Sequence, residues 1–322
     1  SIVVLGPLLA RIGQARVAMP GGDDFGSRPI DMHLQGLEQL GATFSYEHGD
    51  ISGQADRLIG SEVSLEFPSV GATENLLMAS VLAEGVTVIE NAAREPEITD
   101  LANFLSQMGA QIEGVGTSRL TIKGVETLTP VTYSVIPDRI EAATYLSALA
   151  VCGGQIRLRG ARPDHMEMLL RKLEEMGMNL EEDDSGLRAE VTGRLEAVDV
   201  STLPYPGLAT DYKPFLVAAL TVAHGAGMVT ENIFAGRFRY IDELVRMGAE
   251  IRAEGRHAVV RGVDRLSGAP VRAHDIRAGA ALVIAGLAAD GETVISNAHH
   301  VDRGYEDLAG KLSSVGAKVA RT

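Results

Sequence analysis

The apolar and polar positions of the chain repeat one phrase. A leucine, two mostly polar residues, an apolar residue, a glycine and a fresh apolar run recur at LEQLGATF (37–44), LSQMGAQI (105–112), LEEMGMNL (173–180), LVRMGAEI (244–251) and LSSVGAKV (312–319). The glycines are Gly41, Gly109, Gly177, Gly248 and Gly316, at intervals of 68, 68, 71 and 68 residues. The phrase predicts a helix end, a glycine in a left-handed cap and the start of a strand. A second landmark keeps the same beat: ISG, IKG, VTG and VRG end at Gly53, Gly124, Gly193 and Gly262. A third is an apolar helical pattern closed by glycine at LARIG, LAEG, AVCGG, VAHGAG and LAADG. An apolar strand pattern follows each: ARVAM, VTVIEN, QIRLRG, GMVTEN and ETVISN. Together the landmarks predict a βαβαββ module of about 70 residues. A period this long exceeds that of the usual solenoids and favours globular modules about a pseudo-symmetry axis. The chain starts part-way through a module, at IVVLGPLLARIG, so an earlier module is expected to be missing. The fold class expected is α/β (α+β).

Length and composition narrow the class. The 322 residues suggest two domains. With 45% hydrophobic and 22% charged residues, a sizeable core is expected; 36 glycines and 4% aromatics point to tight turns around a small aliphatic one. A net charge of −14 argues against nucleic acid as a partner, while leaving room for a local arginine site for a small anion. The single cysteine, Cys152, fits a reducing compartment and excludes an internal disulfide or a multi-cysteine zinc site. Apolar runs stop short of about 18 residues, so no membrane span is expected. No metal or cofactor is expected: the histidines are scattered, His299-His300 read as polar groups rather than ligands, and no dinucleotide fingerprint follows a strand.

Charge gathers at equivalent helix starts. FPSVGATENL (67–76), IPDRIEAATY (136–145), GLATDYKPFL (207–216) and HDIRAGAAL (274–282) each join a strand to the first helix of a module. Free N–H groups are expected at these ends, with Ser69, Gly71, Arg139, Asp211 and Arg277 beside them. The stretches before the second helix carry Arg28, Arg94, Arg162, Arg237 and Arg303. Taken singly, each arginine reads as a surface partner of nearby carboxylates; gathered by pseudo-symmetry, they would form an anion site for a phosphorylated substrate. AMPGGDDFGSRP (18–29) is the longest irregular stretch and reads as a mobile loop that closes over a substrate.

The repeat, PGGDDFGSRPIDMHLQGLEQLGA, SVGATENLLMA, ENAAREPEITDLANFL, PDRIEAATYL and HVDRGYEDL together resemble the UDP-N-acetylglucosamine enolpyruvyl transferases, of the EPSP synthase-like family. The resemblance runs over essentially the whole chain. It implies an inside-out α/β barrel of βαβαββ units in two pseudo-symmetric domains, here with the first unit missing. Residues 1–136 would be a partial first domain carrying the catalytic loop 18–29, and 137–322 the second domain. The implied reaction moves the enolpyruvyl group of phosphoenolpyruvate to the 3-hydroxyl of UDP-N-acetylglucosamine and releases phosphate, committing the sugar to peptidoglycan synthesis in the cytoplasm. The partners implied are those two small molecules and the missing N-terminal segment.

By position, Asp23 matches the acid that protonates the methylene carbon, which many members supply as cysteine in PGGC. A carboxyl group can serve if burial or a like charge such as Asp24 raises its pKa. Asp211 resembles the residue that takes the hydroxyl proton. Arg28 and Arg303 resemble phosphoenolpyruvate-binding arginines, and Arg277 another arginine of the cleft. Arg28, Pro29, Ile30, Asp31 and Met32, with Ser69, Val70 and Gly71, resemble the segments that hold the uridine diphosphate. Ile233 would touch the sugar; Glu95, Asp138 and Arg139 would support. A carboxylate in place of the thiol implies insensitivity to fosfomycin. The chain departs from the family in lacking its early Lys-Asn pair and in carrying Phe67-Pro68 where many members have lysine. Two alternatives stay open: a truncated UDP-sugar-binding remnant without turnover, and a 3-phosphoshikimate enolpyruvyl transferase.

Overall fold

The structure, a computed structural model, describes residues 2–19, 30–234 and 236–321. The chain divides into two compact units, with the boundary between Ile136 and Pro137.

The first unit contains two modules. One comprises α1 (Leu5–Ile12), β1 (Gln14–Ala18), α2 (Asp31–Gln39), β2 (Thr43–Glu47) and β3 (Asp50–Gln54). The other comprises β4 (Glu62–Ser64), α3 (Val70–Ser80), β5 (Val86–Glu90), α4 (Pro96–Gln107), β6 (Gln111–Glu113) and β7 (Arg119–Lys123). The second unit begins with α5 (Arg139–Cys152), β8 (Gly154–Arg159), α6 (Glu167–Glu175), β9 (Asn179–Asp183) and β10 (Gly186–Val191). Next come β11 (Val200–Ser201), α7 (Lys213–Leu220), β12 (Ala226–Thr230), α8 (Ile241–Arg246), β13 (Glu250–Glu254) and β14 (His257–Arg261). It ends with β15 (Leu266–Ser267), β16 (Pro270–Arg272), α9 (Ile276–Leu287), β17 (Ala289–Asp290), β18 (Val294–Ser296), α10 (His299–Asp302) and α11 (Leu308–Ser314).

The sheets repeat as the sequence does. Orders β4-β5-β7-β6 and β11-β12-β14-β13 are the same arrangement, with the first pair parallel and the rest antiparallel. Orders β1-β3-β2 and β8-β10-β9 are that arrangement without its first strand. In the second unit the first helices of the three modules, α5, α7 and α9, pack on one another. All eight residues of α7 are buried, nine of 14 in α5 and seven of 12 in α9, so α7 is enclosed on every side and the other two lie mostly inside. α6 buries only Leu169 and Leu173, the single stripe of an outer helix. Strands such as β14 alternate exposed and buried residues, turning one face to the helices. Helices inside and sheets outside give the expected inside-out architecture.

The five phrase glycines all take positive φ, at 99°, 104°, 105°, 91° and 102° from Gly41 to Gly316. Strands follow the first four. After Gly316, residues 317–321 form none, contrary to expectation. In the other modules that strand pairs only with the next strand of its hairpin, and 317–321 have no such partner among the described residues. One landmark was also out of step. Gly53 lies inside β3, where a Cβ would meet Phe44. The true equivalent of Gly124 and Gly262 is Ala55, since all three donate N–H to the glycine that closes the preceding helix: Gly13, Gly85 and Gly225.

Candidate functional site

The main polar cluster of the second unit forms at the start of α7. Its sequence Thr210-Asp211-Tyr212-Lys213-Pro214 leads from a loop into an apolar helix, with proline in the first turn, where a missing N–H costs nothing. Asp211 is one residue short of the N-cap, Tyr212, and its carboxylate faces away from the helix backbone to two arginines. Oδ1 accepts hydrogen bonds from Arg237 Nη2 and Arg277 Nε, both at 3.1 Å. Burial alone would raise the pKa of this carboxyl; the two guanidiniums outweigh it and hold the group down at about 2.

Each arginine is fixed by a different element. Arg277 is the second residue of α9, and its guanidinium lies 5.6 Å from the centre of the Tyr305 ring. Tyr305 Oη is 2.7 Å from Thr144 Oγ1 on α5. Arg237, in the segment before α8, is 4% exposed and also donates to Thr210 Oγ1 at 3.2 Å. Arg139, at the start of α5, donates to Tyr212 Oη at 3.0 Å. The starts of α5, α7 and α9 thus share one network. A buried donor in it, Arg277 Nη1, has no hydrogen-bond partner among the described residues. A buried donor left unpaired is costly, and an arriving anion would satisfy it.

Behind Asp211 lies a second ion pair. Lys213 and Glu231 are both fully buried, with Nζ 2.9 Å from Oε2. Burial lowers the lysine pKa to about 8, against the pull of Glu231. Glu231 also accepts from Thr202 Oγ1 at 2.8 Å, Thr210 Oγ1 at 2.7 Å and the backbone N–H groups of Ile233 and Phe234 at 2.7 and 3.0 Å. Sequence reading passed over Lys213 and Glu231. The available signal was a lysine at the head of a helix that is otherwise wholly apolar.

The expectation of free N–H groups at the helix starts needs correction. Ser69 Oγ accepts from Ala72 N, Asp138 from Ile140 and Glu141, and Asp275 from Arg277 and Ala278. These are ordinary side-chain caps, which leave fewer donors for a ligand. Arg162 is a surface partner of Asp164, at 2.7 Å. Arg303 is exposed and forms the C-cap of α10, rather than standing in the first turn of a helix.

The first unit places Ile30 at the N-cap of α2, with Asp31 and Met32 in its first turn. Ser69 caps α3, and Val70 and Gly71 begin it. These two starts are tied by Asn75, whose Nδ2 donates to His33 Nδ1 at 3.1 Å while Oδ1 accepts from Gly6 N at 2.6 Å. Burial lowers the pKa of His33, against the opposing pull of Asp31. A side chain at Gly71 would press on that ring, Cβ to Cε1 being 3.2 Å. Glu95 is the N-cap of α4. Nearby, burial first and then Glu97 and Glu95 push the Glu74 carboxyl up to about 7. Asp23, Arg28 and Pro29 lie outside the described residues, as does most of the loop 18–29.

Residues 1–312 match the profile of the EPSP synthase (3-phosphoshikimate 1-carboxyvinyltransferase) family. The chain is 52% identical over 321 residues to the UDP-N-acetylglucosamine 1-carboxyvinyltransferase of Mycolicibacterium paratuberculosis, covering 100% of this chain and 77% of that one. It is 55% identical over 322 residues to the enzyme of the same name from Gluconacetobacter diazotrophicus, with the same coverage. Among solved structures, the enolpyruvyl transferase NikO from Streptomyces tendae superposes with a TM-score of 0.88 at 26% identity, over 99% of this chain and 76% of that one. EPSP synthase from Acinetobacter baumannii shares the fold, with a TM-score of 0.75 at 21% identity over 100% of this chain and 78% of that one. No helix among the described residues is long and apolar enough to cross a membrane. The chain belongs to the EPSP synthase family of enolpyruvyl transferases, in the group of the UDP-N-acetylglucosamine 1-carboxyvinyltransferases.

Proposed function

We propose that this chain carries out enolpyruvyl transfer from phosphoenolpyruvate to the 3-hydroxyl of UDP-N-acetylglucosamine, with release of phosphate, as a cytoplasmic step toward peptidoglycan. The observation that carries the reading is the Asp211 carboxylate held by Arg237 and Arg277 at the start of α7, in a chain more than half identical to enzymes so named.

The chemistry divides among few groups. An acid adds a proton to the methylene carbon of phosphoenolpyruvate; by position in the family motif this is Asp23. The sugar oxygen then bonds to the adjacent carbon and gives its proton to Asp211. The carbon–oxygen bond to phosphate breaks, and the methyl group returns a proton, restoring the double bond. Asp211 at about 2 is a weak base while both guanidiniums face it. A phosphate or carboxylate that drew Arg277 toward itself would satisfy the buried Nη1, weaken the pull on Asp211 and raise its basicity where the hydroxyl proton is taken. Arg303 would bind phosphoenolpyruvate beside Arg28, with Asp138 and Arg139 in support. In the first unit, Ile30, Asp31, Met32, Ser69, Val70 and Gly71 would hold the uridine diphosphate together with Arg28 and Pro29, with Glu95 in support.

The test is phosphate release with each substrate alone and with both. Release that needs both substrates supports the reading. Equal release with 3-phosphoshikimate in place of the sugar nucleotide would move the chain to the other branch of its family.

A further inference from the structure

We propose that Lys213 is a positioning residue: its buried ion pair with Glu231 clasps the segment carrying Ile233, Phe234 and Arg237 against the start of α7, and so sets the sugar-contacting residue and the partner of Asp211 together. This rests on the proposed function for its meaning in catalysis, and on geometry for the clasp itself.

The geometry is closed at both ends of the segment. At one end the Glu231 carboxylate takes the N–H groups of Ile233 and Phe234. At the other, Lys213 Nζ donates to the backbone carbonyl of Arg237. The ammonium group bridges the two ends, with Glu231 Oε2 at 2.9 Å and the Phe238 ring centre at 3.9 Å. The side chain of Arg237 then reaches Asp211 Oδ1 and Thr210 Oγ1, and Thr210 itself donates to Glu231. Asp211 and Lys213 lie two residues apart at one helix start. A pull on Lys213 is therefore transmitted to Asp211 along the backbone and through Arg237. A buried ammonium with its carboxylate is seldom a net gain in stability over an apolar pair, but removing one partner strands the other. That cost is borne where two loop ends must be held in register.

The charged and titratable groups that face Lys213 are Glu231 from the segment after β12, Arg237 and Tyr240 from the approach to α8, and Asp275 from the start of α9. Burial dominates and lowers the lysine to about 8, so the ion pair loses its charge, and the clasp weakens, as the pH rises through that value.

The experiment compares the unmutated chain with Lys213→Gln, whose amide cannot supply the charge. Turnover is followed as a function of each substrate and of pH, and hydrogen exchange is read at the Ile233 and Phe234 amides. Lys213→Gln is expected to lose roughly a hundredfold in kcat/KM for UDP-N-acetylglucosamine, the scale of a small misplacement of reacting groups. The KM for phosphoenolpyruvate should move much less. In the unmutated chain kcat/KM is expected to fall above about pH 8, and this fall should be absent in the variant. Both amides should exchange faster than in the unmutated chain, while those of β14 keep their protection. Unchanged KM, pH profile and exchange would overturn the proposal. If Lys213→Gln does not fold, exchange in the unmutated chain between pH 7 and 9 decides. Protection of the two amides should fall more than that of β14, and parallel behaviour would overturn the clasp. If neither the unmutated chain nor the chain extended upstream by about one module shows turnover, the functional reading fails separately, and exchange alone judges the clasp.

Discussion

Asp211 and Glu74 are carboxyl groups driven in opposite directions, and each leads to a measurement. Asp211 is held at about 2, so it is ionised throughout the neutral range. Asp211→Asn keeps the shape and removes the base; phosphate release should fall roughly 10²–10⁴-fold, the usual contribution of a general base, with the fold intact by circular dichroism. A drop below threefold would remove Asp211 from the proposed chemistry. Glu74 has its pKa raised from 4.5 to about 7 by burial and by Glu97 and Glu95. A carboxyl raised on folding binds its proton better in the folded state. Its contribution is therefore full below about 4.5 and lost as the pH rises through 7. Thermal unfolding should show the unmutated chain losing stability between pH 5 and 8 relative to Glu74→Gln. A fall of the same size in both would show that Glu74 is not the group responsible. The places of Asp211, Arg277 and Arg139 were readable because each sits in a motif at a helix start. Lys213 and Glu231 were not, because their partnership spans two elements and a lone lysine reads as solvent-exposed. The caps at Ser69, Asp138 and Asp275 could have been read: serine or aspartate just before a helix is a cap first and a ligand second.

At the level of elements, glycine spacing alone set the beat of the modules. A left-handed cap favours glycine because it has no Cβ to clash, and all five phrase positions carry it while the residues around them differ. The strand after Gly316 was expected from the same phrase and did not form, because strand formation depends on a hairpin partner that a local phrase does not contain. Two elements invite tests. Asp138→Ala removes the carboxylate that accepts from Ile140 and Glu141 and should cost about 1 kcal/mol in urea unfolding. Gly262→Ala would place a Cβ 1.7 Å from the Ala223 carbonyl oxygen, where backbone must shift. It should cost about 2–3 kcal/mol, and a change below 0.5 kcal/mol would mean the packing beside α7 yields more easily than the geometry implies.

At the scale of the whole molecule, the repeat fixed the architecture, and long ordered motifs fixed the family. Hydrophobic pattern gave modules with apolar inner helices; it could not say which helix start would collect the arginines. That followed from three modules of the second unit packing α5, α7 and α9 together, which brings Arg139, Asp211 and Arg277 from far apart in sequence into one network. The most direct measurement is phosphate release from phosphoenolpyruvate and UDP-N-acetylglucosamine, by the chain as it stands and by the chain extended upstream by about one module. The account predicts release that requires both substrates and is lost in Asp211→Asn. Silence of both forms, with the protein folded and the sugar nucleotide present, would contradict it.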